Sequence, residues 1–248
     1  MSIFVKAILL SAAAGLATTI GSFISFFTKK PGPSYMSFTL GFSAGVMIFV
    51  SFVELLKEGI DTLGFAWGNI AFFIGIIAMA LVDMLISHDY ILEEHHSDSN
   101  SKLKKTALFV GLGIAIHNFP EGMVTFAGTL KDVHLGISLM VAIAIHNIPE
   151  GISVAVAVHA STGNRWKAFL WSFLSGVSEP VGAVIAGLIL YPFLNDMVLG
   201  WLLSLVGGFM VFISFDELLP AAHSYGKEHL SIGGIIGGML VMALSLAI

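Results

Sequence analysis

Runs of about 20 apolar residues recur along this chain from end to end, and that spacing leaves few folds open. The runs fall at 3–27, 35–56, 66–87, 105–129, 136–158, 167–190, 198–222 and 231–248. About 20 residues is the length an α-helix needs to cross the hydrocarbon core of a bilayer, where each backbone N–H and C=O must be satisfied inside the segment itself. Charged residues make up only 11% of the chain, against about 25% in soluble domains, too few to cover a water-facing surface. The sequence therefore predicts an all-α protein: a polytopic membrane helical bundle of eight transmembrane helices, forming a single transmembrane domain over residues 1–248. The first run has a feature of a secretory signal, since Lys6 precedes small residues from Ser11 to Gly15. It continues apolar to Phe27, too far for a signal core.

Charge and cysteine content exclude other classes. The net charge is −5 and no basic cluster is long enough to follow a phosphate backbone, so nucleic acid is not an expected partner. The absence of cysteine removes disulfides, thiolate metal sites and cysteine nucleophiles. Basic residues also orient the bundle, because they are retained on the cytoplasmic side during insertion. The loops after the odd-numbered spans hold eight of them, Lys29, Lys30, Lys102, Lys104, Lys105, Arg165, Lys167 and Lys227. The other side holds three, Lys6, Lys57 and Lys131. This bias predicts odd loops in the cytoplasm and both termini outside it.

Two internal repeats sharpen the picture. Residues 44–56, AGVMIFVSFVELL, match residues 207–219, GGFMVFISFDELL, at eight of thirteen positions. Residues 113–122, GIAIHNFPEG, match residues 142–151, AIAIHNIPEG, at eight of ten. The pairs join span two to span seven and span four to span five, so each has one even and one odd member. Both repeats are therefore inverted, giving a 3+2+3 arrangement. Inverted repeats around a midplane site are a transporter pattern, because exchanging the conformations of the halves opens the site to each side in turn.

The second repeat carries the chemistry. His117-Asn118-Phe119-Pro120-Glu121-Gly122 lies near the middle of span four, and His146-Asn147-Ile148-Pro149-Glu150-Gly151 near the middle of span five. His and Glu at i and i+4 share a helix face, with Asn beside them. Proline removes a hydrogen bond to the carbonyl four residues earlier, freeing the oxygens of Ile116 and Ile145. Glu179 adds a third carboxylate near the same depth. Each ionised carboxylate at the bilayer centre costs about 2.5–3.5 kcal/mol. Three would cost on the order of 8–10 kcal/mol, comparable to the stability of a whole domain. No Lys or Arg lies mid-span to offset them, so the compensating cation must come from outside as protons or metal. Imidazole with carboxylate suits zinc, iron(II) and manganese, and one or two divalent ions are both electrostatically acceptable.

These residues resemble the ZIP (Zrt-, Irt-like) family of divalent-metal transporters, most closely its bacterial zinc-transporting branch. The likeness covers essentially the whole chain: eight spans, external termini, a His-bearing loop between spans three and four, and HNxPEG in both central helices. It implies a binuclear centre and zinc moving into the cytoplasm. Carried onto this sequence, His117, Glu121, His146 and Glu150 would form one metal position. Asn118, Glu121, Asn147, Glu150 and Glu179 would form the other, with Glu121 and Glu150 bridging. The near-symmetric motif pair agrees with broad cargo: Zn2+ together with Fe2+ and Mn2+, and cobalt or cadmium as further cargo. The metal is then cargo rather than cofactor, and no enzymatic activity is implied. The compact chain, without a long soluble domain or targeting extension, fits a bacterial inner membrane, in contact with the lipid bilayer, and a homodimer is left open.

Other polar residues mark a path. Asp83 and His88 lie in the cytoplasmic half of span three, and Asp216, Glu217 and His223 at the cytoplasmic end of span seven. Exit-side ligands and ordinary interfacial placement both explain them. Glu54, paired by repeat with Glu217, lies toward the outside, with the same two explanations. The loop HDYILEEHHSDSNSKLKK, residues 88–105, is either a weak metal-catching cytoplasmic loop through His95 and His96 or a solvated linker. Two rivals stand beside metal transport. An intramembrane metal-dependent hydrolase would use the same residue types but lacks an H-E-x-x-H pattern. A proton-linked carrier of another solute would protonate the carboxylates in turn.

Overall fold

The structure, a computed structural model, describes residues 1–27, 32–85, 118–190, 193 and 195–246. Among these residues there is no strand. The helices are α1 (Ile3–Phe27), α2 (Pro33–Leu63), α3 (Phe65–Leu85), α4 (helical over 118–131), α5 (Val133–Thr162), α6 (Arg165–Leu190), α7 (Asp196–Ser224) and α8 (Glu228–Leu246). All but α4, which is described only from residue 118, are long and apolar enough to cross a membrane. Large apolar side chains such as Leu16, Phe73, Ile77, Leu188 and Ile236 are exposed on the outside of the bundle, as a lipid environment requires. This is a multi-pass membrane protein.

Three of the sequence-predicted spans are corrected at their edges. α2 continues to Leu63 instead of stopping at 56, α5 covers Val133–Thr162 instead of 136–158, and α7 reaches Ser224. Polar residues such as Lys57, Glu58 and Asp61 continue the helix into the interface, where hydropathy no longer marks it but backbone hydrogen bonding still favours it. Local chemistry sets the ends. Asp132, the single residue between α4 and α5, caps α5 by accepting from the His134 N–H at 2.7 Å. Gly163, at φ 64°, closes α5 in the left-handed conformation that glycine adopts without strain.

The inverted repeat extends beyond the two sequence matches. α2 and α7 each contain a π-helical turn, at Ser51–Leu56 and Ser214–Leu218, in the same place of the repeat. Ser51 and Ser214 each donate to the carbonyl four residues back, Met47 at 2.6 Å and Met210 at 2.7 Å. Close backbone contacts repeat as well. Gly45 packs on the carbonyl of Ile235 and Gly208 on that of Phe72, while Gly238 packs on Phe42 and Gly75 on Leu205. The α2–α8 pair is thus the counterpart of the α7–α3 pair.

α1 and α6 form the third pair. Gly15 and Gly176 sit against each other's carbonyl oxygens, Gly21 packs on Ile148 and Gly182 on Phe119. α1 meets α5 through Ala14 with Asn147 and Thr18 with Gly151. α6 meets α4 likewise, Ser175 with Asn118 and Glu179 with Gly122. Glu179 of α6 lies by Gly15 of α1 and Ser172 by Thr18, so α1 and α6 run opposite ways. Small residues at these crossings let the backbones approach, which is how helices associate where lipid is as apolar as leucine.

Candidate functional site

Sequence reasoning placed its site on the two central helices, and the described residues of that group converge at the middle of the bundle. Asn118, Glu121, His146, Asn147 and Glu179 are at most 1% exposed, and Glu150 is 7% exposed. His117 lies outside the described residues. Each motif is held by α1 or α6 at its glycine: Gly122 against the backbone of Glu179, Gly151 against that of Thr18. Pro149 and Pro180 are accommodated inside continuous helices.

Two polar pairs organise the centre. His146 Nε2 lies 3.1 Å from Glu121 Oε1, and its Nδ1 lies 3.1 Å from the carbonyl of Ala142. A carbonyl only accepts, so Nδ1 carries a proton. Nε2 then faces a carboxylate oxygen, and a second proton must reside on one of the two atoms for that contact to be a hydrogen bond. Asn147 donates through Nδ2 to Glu179 Oε1 and, at 3.1 Å, to the carbonyl of Ala14. Ser43 of α2 donates to the carbonyl of His146 at 3.1 Å, tying the centre to the neighbouring helix.

What remains unsatisfied is oxygen. Among the described residues, Glu121 Oε2, Glu179 Oε2 and Asn147 Oδ1 are buried without a hydrogen-bond partner. The carboxylates of Glu121, Glu150 and Glu179 also lie near enough to repel one another. Such groups are costly in a protein interior unless something positive joins them. Among the described residues no three His, Asp or Glu side chains form a ready-made metal shell, because the donors are held in pairwise hydrogen bonds.

The relatives of the chain bear on what such a centre serves. The family model described as "ZIP Zinc transporter" matches residues 86–246. The chain is 47% identical to the zinc transporter ZupT of Streptococcus mutans over 97% of its own length and 96% of the relative. It is 48% identical to ZupT of Akkermansia muciniphila over 96% of this chain and 95% of that one, and 46% identical to ZupT of Clostridium perfringens over 99% and 96%. The chain belongs to the ZIP family. ZIP proteins are transporters and not enzymes, which sets aside the hydrolase reading.

The residues read from the sequence as candidates for a path divide between two ends of the bundle of this ZIP chain. Glu217, half-buried in the π-turn of α7, is within electrostatic reach of Glu150. Asp216, beside it in the same π-turn, and His223, beyond it, are exposed, and Asp83 is buried in the last turns of α3. His88 and the 88–105 loop lie outside the described residues. Glu54, the repeat mate of Glu217, differs from it: its charged neighbours are Glu58 and Lys57 of its own helix. At that end Lys131 of α4 bridges to Glu58 and, at 2.9 Å, to Thr62 of α2. The carboxylate series thus runs from the centre toward the end of α7, while the opposite end is crossed by an ion pair between α2 and α4. Sequence reading missed this bridge, since neither partner belongs to a motif.

Proposed function

We propose that the chain carries zinc, and with it iron(II) and manganese, into the cytoplasm through a binuclear centre formed by His117, Asn118, Glu121, His146, Asn147, Glu150 and Glu179. The observation that supports this best is the set of buried, unpartnered oxygens on α4, α5 and α6 around the His146–Glu121 pair. Mixed imidazole, amide and carboxylate donors suit first-row divalent ions, and two such ions would offset the three carboxylates. The Nδ1–H bond of His146 to a backbone carbonyl leaves Nε2 aimed at the centre, the usual support of a metal-binding imidazole. Glu150 and Glu217 supply the way out toward the end of α7. The distribution of Lys and Arg supports a cytoplasmic location for that end, with both termini outside.

Protonation gives a direct check. The proton shared by His146 and Glu121 must leave when metal arrives, so metal and protons compete. The apparent affinity for zinc is expected to fall as pH drops from about 7.5 to about 5. Zinc uptake into proteoliposomes, measured across that range with iron(II) and manganese as competitors, tests both cargo and site. A flat affinity would contradict ligation by His and Glu, and indifference to the competitors would restrict the cargo to zinc.

A further inference from the structure

The pseudo-twofold relation between α1 and α6 leads to a residue that no motif marks. Gly122 of α4 packs on the carbonyl of Glu179, and Gly151 of α5 packs on that of Thr18. Asn118 Nδ2 donates to the carbonyl of Ser175 at 3.4 Å, and Asn147 Nδ2 to that of Ala14 at 3.1 Å. Ala14 and Ser175 stand one helical turn before Thr18 and Glu179. Thr18 therefore holds in α1 the place that Glu179 holds in α6.

The hydroxyl of Thr18 behaves unlike the other threonine hydroxyls buried nearby. A helical threonine ordinarily returns its hydroxyl to the carbonyl a turn earlier. Thr125 does so to Glu121 at 3.0 Å and Thr129 to Thr125 at 2.6 Å. Thr18 is fully buried, its carbonyl accepts from Ser172 Oγ at 3.2 Å, and its Oγ1 has no partner among the described residues. The unsatisfied atoms of the two equivalent positions are thus Thr18 Oγ1 and Glu179 Oε2. Leaving a buried hydroxyl unpaired is costly, so this one is expected to be completed by something that enters the centre.

We propose that Thr18, from the place in α1 that matches Glu179 in α6, supplies a neutral oxygen to the transported ion and so sets its metal preference. This rests on the metal-transport reading above. A hydroxyl at one pseudo-symmetric position and a carboxylate at the other gives the centre one hard oxygen donor without one more negative charge. Manganese takes more oxygen ligands than zinc, which is content with four ligands including imidazole. Losing the hydroxyl should therefore weaken manganese more than zinc.

The test compares wild type, Thr18→Val and Thr18→Ser in proteoliposomes, with manganese and zinc uptake measured separately and thermal unfolding in detergent as the check on folding. Thr18→Val keeps the buried shape and removes only the hydroxyl. It is expected to raise the KM for manganese about tenfold, with a smaller rise for zinc, while Thr18→Ser stays near wild type. Thr18→Ala, which removes the same atom, carries the comparison if the valine variant does not fold. Equal KM values for wild type and the hydroxyl-free variant with both metals would overturn the proposal while leaving metal transport intact. A serine variant as impaired as valine would also overturn it, since the effect would then be one of shape. A folded wild type that moves neither metal would instead overturn the functional reading beneath it.

Discussion

Replacing Glu121 by alanine is expected to reduce zinc uptake by at least about 100-fold while the protein still inserts and unfolds cooperatively. Glu121 meets His146 through one oxygen and leaves the other buried without a partner among the described residues. It also lies within repulsive range of both Glu150 and Glu179, so in the proposed centre it bridges two ions. Its loss removes a donor from each metal position. Folding should survive, because His146 keeps its Nδ1 hydrogen bond to the carbonyl of Ala142 and the variant removes one of three mutually repelling carboxylates. Radioactive zinc uptake, with thermal unfolding alongside, reads the two effects separately. Uptake within a few-fold of wild type in a folded Glu121→Ala protein would remove Glu121 from the centre.

The second large effect is on assembly. Gly122→Val is expected to prevent recovery of a monodisperse protein in detergent, because a Cβ at this position would fall on the carbonyl oxygen of Glu179. Overpacking a core by a methylene or two costs about 1–3 kcal/mol when side chains can adjust. Here the obstacle is backbone, so α4 and α6 must separate and the packing of the whole centre is lost. Gly151→Val should behave alike against the carbonyl of Thr18, its counterpart in the repeat. Gly233→Ala supplies the contrast: a Cβ there meets nothing within 4 Å, whereas at the adjacent Gly234 it meets the backbone of Phe38. Gel filtration and thermal unfolding of these three variants and of Gly234→Ala should separate Gly233→Ala, wild-type in behaviour, from the other three. A well-folded Gly122→Val protein would mean that α4 and α6 do not cross where the structure has them.

Much of this architecture was readable from the residues because a bilayer leaves so few alternatives. Apolar length announces each helix, and a repeated polar motif in such a setting cannot be compositional coincidence. Glu179 stood out through the cost of its charge alone. The α1–α6 pairing was not readable. Between residues 11–22 and 172–183 only Ser11/Ser172, Gly15/Gly176 and Gly21/Gly182 are identical, because only close backbone approach demands a particular residue there. Thr18 and Glu179 are chemically unlike, so their equivalence exists only in the contacts their neighbours make. The π-turns at Ser51–Leu56 and Ser214–Leu218 were also hidden, since no residue type specifies them. The ends of α2 and α7 ran past their hydropathy edges for the reason already given: a helix persists into the interface after its apolar stretch ends.

The proposed function requires metal to move through the folded protein. Purified wild type in liposomes, loaded on one side with radioactive zinc, should show saturable zinc entry into the lumen that excess iron(II) or manganese suppresses. Protein that is folded and inserted in both orientations, yet moves no zinc beyond the leak of empty liposomes, would contradict it.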